Sequence, residues 1–395
     1  MSPTLDTTDA PHVAPGLGFP AGPSAEPSEL GWPETVSRET STSADPAPPA
    51  APGSSADSDA ETGSTSSVPV VDDTDPATPD DREERAVIAA AIPGADWNTP
   101  LAQAVAEDER KRVTLSGRSV PRPPRTRVMT VANQKGGVGK TTTTVNIAAA
   151  LAQAGSTVLV IDLDPQGNAS TALGIDHHSE VPSVYDVLVD GAPLVDVVQP
   201  CPDLPGLVCA PATIDLAGAE IELVSLVARE TRLQKAVAAY VEERTASGDR
   251  LDYVLVDCPP SLGLLTVNAF VAGQEVFIPI QCEYYALEGL SQLLKNIELI
   301  RSHLNPALHV STILLTMYDG RTRLSAQVAD EVRAHFAEQT LRATVPRSVR
   351  ISEAPSHAQT VMTYDPNSSG ALSYLEAAVE IAERGAADDT TEESA

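Results

Sequence analysis

Apolar residues are distributed along this chain in two regimes. From about residue 127 onward, short continuous apolar runs alternate with longer stretches of helical period, and before residue 85 neither pattern exists. The runs at 128–131, 157–162, 253–257 and 276–280 are too continuous for half-exposed strands and suit the interior of a parallel sheet. Further strands are expected at 207–210, 309–317 and 343–346. Helical spacing is expected from Thr142 to Ala154, from Leu216 to Val241, up to about Leu304, and from Gly370 to about Arg384, with a loop over 242–249. Strands alternating with helices predict an α/β fold, doubly wound around a mostly parallel sheet.

The remaining segments set the boundaries. Residues 1–85 are crowded with Pro, Ser, Ala, Thr, Asp and Glu and cannot bury enough apolar surface to offset their conformational entropy, so they read as a disordered acidic tail. Residues 86–126 hold two weakly helical stretches, the second opened by Thr99 and Pro100 and closed by 108–112. Arg118, Arg122, Arg125 and Arg127 follow among prolines, as a hinge that balances the tail or as a phosphate-contacting linker. The globular domain is expected over 127–385, with an acidic end at 386–395.

The formal net charge of −29 argues against a general polyanion binder. Roughly half of it lies in the first hundred residues, so nucleic-acid binding has to be judged on local patches. Cys201, Cys209, Cys258 and Cys282 lack metal-type spacing, which suits reduced thiols in a cytoplasm. No signal-peptide pattern and no apolar run of membrane-spanning length is present.

The chemistry concentrates after the first run. Val128 to Val131 leads into Lys135-Gly136-Gly137-Val138-Gly139-Lys140-Thr141-Thr142 and then a helix, the order strand, phosphate loop, helix. Glycines leave room for converging N–H donors, and the helix N-terminus adds partial positive charge. Lys140 suits the β- and γ-phosphates and the Thr141 hydroxyl suits Mg²⁺. The strict motif fails, because Gln134 stands where glycine is required. What stands instead, with Lys135 opening the loop, resembles the deviant phosphate loop of the ParA/MinD family of ATPases, in which the early lysine reaches into the partner subunit's nucleotide.

Two aspartates end later strands. Asp164, in Asp164-Pro165-Gln166-Gly167-Asn168, falls at the ligand edge of the sheet, where its carboxylate could orient a water for attack on the γ-phosphate or simply cap a turn. Asp257, before Cys258-Pro259-Pro260, has the arrangement that holds Mg²⁺. The stretch around Asp164 is similar to the second motif of ParA proteins, whose later aspartate is needed for hydrolysis. The stretch 281–290, with Tyr284 and Tyr285, also looks like ParA, although such tyrosines commonly serve packing.

Arg321, Arg323, Arg347 and Arg350 lie in loops at neighbouring strand ends. In the chromosomal ParA proteins this chain resembles, arginines in such loops bind DNA through phosphates without sequence preference, a role suited to the guanidinium fork. By the same resemblance, Pro346 lines the adenine pocket. MinD relatives bind membranes through a basic amphipathic C-terminal helix, whereas this chain ends acidic. The resemblance, nearest to Soj-type partition ATPases, implies a slow ATPase using ATP and Mg²⁺. It also implies an ATP-bound homodimer, release from nucleoid DNA stimulated by a ParB-type DNA-binding protein, and a cytoplasmic, nucleoid-associated location with no membrane role. The rivals are a MinD-like surface ATPase, an electron-transfer ATPase resembling nitrogenase iron protein, and a module that binds ATP without turnover.

Overall fold

A computed structural model describes residues 109–115, 117–284 and 286–387. The expected tail before residue 86, the stretch opened by Thr99, Tyr285 and the acidic end from 388 lie outside the described residues.

β-branched runs form the centre of the molecule. Strands β1 (Arg127–Val131), β2 (Val158–Asp162) and β5 (Tyr253–Asp257) are buried at every position. They join β3 (Gln199–Pro200), β4 (Leu207–Ala210), β6 (Glu275–Gln281), β7 (His309–Tyr318) and β8 (Thr340–Pro346) in one sheet of order β3-β4-β2-β5-β1-β6-β7-β8. Every pairing is parallel except β3 with β4. The chain works outward from β1 on one side and then returns to lay β6 on the other, so β1 marks the reversal of strand order, where open α/β sheets bind their ligands.

Side chains alternate between the two faces of each strand. Met129, Val131, Val158, Val160, Tyr253 and Leu255 enter one core. Val128, Leu159, Ile161, Val254 and Val256 enter the other. The first core is covered by α1 (Lys140–Gln153) and the C-terminal helix. The second is covered by α3 (Leu216–Leu223), α4 (Arg232–Ala246), α5 (Leu264–Ala272), α6 (Ala286–His303) and α7 (Arg323–His335). The short helices α2 (Asn168–Ala172), α8 (Val349–Glu353) and α9 (Val361–Tyr364) and the C-terminal α10 (Ser369–Ala387) accompany these. The expected doubly wound fold is therefore present.

Several boundaries differ from the expectation. Helix α1 starts at Lys140, two residues before Thr142, because Gly139 in a left-handed conformation (φ 86°) turns the chain directly into it. The single helix expected over 216–241 is broken after Leu223, where Ala228 adopts φ 53° and the Arg229 guanidinium takes the Val224 carbonyl at 2.8 Å. Helix α4 then runs through 242–246, and the turn comes only at Gly248 (φ 81°). Arg127 is no linker residue. It opens β1, buried, with its guanidinium on Glu275 at 2.5 and 2.8 Å. Arg118 pairs with Glu383, and Arg122 lies 3.3 Å from Asp252.

Helix α10 buries Leu372, Tyr374, Val379 and Ile381. Among the described residues, no helix is long and apolar enough to cross a membrane.

Candidate functional site

The site is built at the carboxyl ends of β1, β2 and β5. Strand register places Val131 beside Asp257, and Asp257 beside Asp162. The loop that leaves β1 is pinned from neighbouring strands. Asn133 Nδ2 donates to the Pro279 carbonyl at 2.8 Å, and the Thr316 hydroxyl donates to the Val138 carbonyl at 2.9 Å. Gly137 and Gly139 hold φ of 74° and 86°, values an L side chain rarely adopts. A Cβ at Gly136 or Gly137 would meet nothing within 4 Å, so the concave side of the loop is open. A glycine loop followed directly by a helix N-terminus is the arrangement from which backbone N–H groups build an anion cradle.

Lys140 is the cation of this cradle. It is only 7% exposed, and burial lowers its pKa against the opposing pull of Asp257, Cys258 and Asp164. The Asp257 carboxyl is fully buried, and desolvation with the neighbouring Asp162 pushes it up to about 8. The Thr144 hydroxyl donates to Asp257 Oδ1 at 3.0 Å, and the Thr141 hydroxyl also acts to lower its pKa. Its Oδ2 is buried and has no hydrogen-bond partner among the described residues. A buried carboxylate oxygen with no donor is costly unless something absent supplies positive charge. Beside a threonine hydroxyl and under a phosphate cradle, that donor set fits a hard, oxygen-seeking cation such as Mg²⁺.

Asp162 is raised to about 6 by burial, although Ser170 and the Asp164 amide donate to it at 2.8–3.1 Å. Asp164 is half-buried, near enough to Lys140 and Asp257 to act on both. It also caps its own turn, with Oδ1 accepting from Gln166 N–H at 3.0 Å. The turn-cap reading of this aspartate has this hydrogen bond as its counterpart. Lys135 lies at the rim, its ammonium 3.0 Å from Glu283 Oε2. Thr142, in the first turn of α1, gives its carbonyl to Asn146 Nδ2 at 2.7 Å.

The structure brings Lys135 through Thr142, Asp164 and Asp257 to one edge. Along that edge Arg321 is 91% exposed, in the turn after β7, and lies 2.9 Å from Asp319. Arg323 opens α7, exposed. Arg347 follows β8, 3.8 Å from Glu283. Arg350, in α8, pairs with Glu353 and Asp365 at 3.2 and 3.4 Å. Tyr318 and Pro346 pair at the ends of β7 and β8, so these loops are neighbours. Pro346 itself ends the third strand from β1.

Sequence reasoning missed Thr144, Asp162 and Glu283. Thr144 stands one helical turn beyond Lys140, and that spacing was the available signal for it. The cysteines are free and buried, and among the described residues no group of three His, Cys, Asp or Glu could hold a metal.

The profile of a family described as an AAA domain matches residues 126–310. The sporulation initiation inhibitor protein Soj of Bacillus subtilis is 50% identical over 259 residues, 66% of this chain and 99% of that protein. The chromosome partitioning protein ParA of Caulobacter vibrioides is 51% identical over 258 residues, 65% of this chain and 94% of its own length. Among solved structures, cobyrinic acid a,c-diamide synthase from Mycobacterium smegmatis, with bound ATP analog and magnesium, superimposes with a TM-score of 0.57 at 36% identity. That match covers 67% of this chain and 97% of the other.

Proposed function

The chain belongs to the Soj/ParA family of chromosome-partitioning ATPases, and from that premise we propose that it hydrolyses ATP to ADP and phosphate as a switch for segregating a chromosome or plasmid. In this reading two copies close face to face over their nucleotides, and the closed dimer holds double-stranded DNA without sequence preference. A ParB-type DNA-binding partner stimulates hydrolysis and so releases it. The protein would act in the cytoplasm on the nucleoid, without a membrane.

The observation that carries the reading is the partnerless Asp257 Oδ2 beside the buried Lys140, beneath an open glycine loop. Lys140 and the N–H groups of Gly136 to Thr142 would bind the phosphates, with Val138 serving by its backbone. Thr141 and Asp257 would hold Mg²⁺, which supplies positive charge against the phosphate oxygens when bound. Asp164 would orient the attacking water, Lys135 would reach the facing copy's phosphates, and Pro346 would border the base. Positioning and charge stabilisation carry most of phosphoryl transfer, so a site that needs two copies and lacks a strong base should turn over slowly until a partner acts.

Arg321, Arg323, Arg347 and Arg350 would contact DNA phosphates. Their exposure at adjacent loops on the nucleotide edge supports this, because DNA phosphates can compete there for guanidinium groups now shared with Asp319, Glu283, Glu353 and Asp365.

Phosphate release measured with DNA and a ParB-type partner, each alone and both together, tests the reading. Slow turnover alone and a several-fold rise with both is the expected result. Turnover indifferent to both would refute it.

A further inference from the structure

Lys135 is held within its own chain, and the holding group is built into the sheet edge. Its backbone N–H donates to Asn133 Oδ1 at 3.0 Å, which fixes where the side chain starts. Its ammonium then reaches Glu283 Oε2 at 3.0 Å, two residues beyond the end of β6. Glu283 is itself anchored. Its N–H donates to the Gln281 carbonyl at 2.8 Å, the Gln281 side-chain amide donates to its Oε1, and Arg347 Nη2 lies 3.8 Å from that oxygen. One carboxylate thus shares two cations, one from the phosphate loop and one from the loop after β8. The Lys135 and Glu283 side chains are 32% and 46% exposed, so the pair is neither locked in the core nor fully solvated.

We propose that Glu283 is a positioning residue that parks Lys135 inside its own chain, so that two copies close only when the phosphates of the facing nucleotide outcompete this carboxylate for the ammonium. The inference rests on the crossing role of Lys135 given above. An ion pair of this exposure is worth up to about 1 kcal/mol, or about 5-fold in an equilibrium. Both copies must release theirs, so the dimerisation constant is held down by up to about 25-fold. Arg347 acts in the opposite sense. By sharing Glu283 it weakens the grip on Lys135, and its removal takes that competing cation away. Two neighbouring side chains are thereby assigned opposite effects on one equilibrium.

The test uses the full chain without DNA, with magnesium and a non-hydrolysable ATP analogue, followed by sedimentation velocity across analogue concentration at low and high salt. Glu283→Gln should raise the dimerisation constant by up to about 25-fold, Glu283→Asp should stay near the parent, and Arg347→Ala should lower it. The gap between parent and Glu283→Gln should narrow at high salt, where a half-exposed pair is screened. Affinity for ADP, within about twofold of the parent, confirms an intact fold. A Glu283→Gln chain that dimerises no more readily than the parent overturns the proposal. If that variant does not fold, Arg347→Ala decides, and an unchanged or raised constant overturns it. Lys135→Ala separates the two levels. If it stays single while Glu283→Gln behaves as the parent, the parking role alone fails, and if it dimerises normally the crossing role fails with it.

Discussion

Asp162 and Asp257 are register partners in adjacent strands, both fully buried, with hydroxyls, amides and Lys140 among the groups that offset their charge. Their carboxyls rise from the usual 3.8 to about 6 and about 8, so the folded chain keeps protons that the unfolded chain has already lost. The contribution of these two carboxyls to stability without nucleotide therefore falls as pH rises from about 4 towards 8, and is constant below, where both are protonated in the folded and unfolded chain. Asp257→Asn removes the larger cost while keeping the acceptor for Thr144. At pH 8 the variant should melt several degrees above the parent by calorimetry and lose magnesium-dependent turnover. A lower melting point than the parent would contradict this account of the site. Asp164→Ala is expected to bind ATP, dimerise and stay on DNA with turnover reduced at least about 100-fold, and a variant that hydrolyses normally would remove Asp164 from the water-positioning role. Lys140, Thr141 and Asp257 were legible because a phosphate loop and a strand-ending aspartate announce themselves by local spacing. Glu283 was not, because its meaning comes only from Lys135, 148 positions away.

At the scale of elements, the strands were readable wherever both faces are buried, since continuous apolar runs have no other stable home. The region after β4 was harder to read. Helical periodicity continues across 224–231, but Ala228 at positive φ and the exposed Ile221, Val224 and Val227 break it, and neither feature has a sequence mark. Some joints between elements depend on single polar side chains. Asn146 in α1 accepts from the Val361 N–H at 2.8 Å and donates to the Thr142 carbonyl at 2.7 Å, tying α1 to α9. Asn146→Ala leaves that buried amide unpaired and should cost about 1–3 kcal/mol in urea unfolding. Glu275→Ala removes the carboxylate that takes the buried Arg127 guanidinium through two hydrogen bonds and should cost more, about 3–5 kcal/mol. Equal losses from the two variants would argue that Arg127 reaches solvent.

For the molecule as a whole, the relatives cover about two thirds of the chain, and what precedes their match is only partly legible. The helical segment 109–115 and the residues after it dock on the domain. Leu115 and Val120 are buried, Lys111 lies 3.0 Å from Glu376, and Arg118 pairs with Glu383. Removing residues 1–120 should therefore lower the melting temperature relative to removing 1–108, and identical melting would show that this strap contributes nothing. The central claim is larger than any of these contacts: two copies close over a pair of nucleotides, each lending Lys135 to the other. Its most direct test is the solution mass of the full chain in magnesium and a non-hydrolysable ATP analogue, beside the Lys135→Ala variant. The account predicts twice the chain mass for the parent and a single-chain mass for the variant with nucleotide still bound. A parent that stays single at saturation, or a variant that pairs as well as the parent, would contradict it.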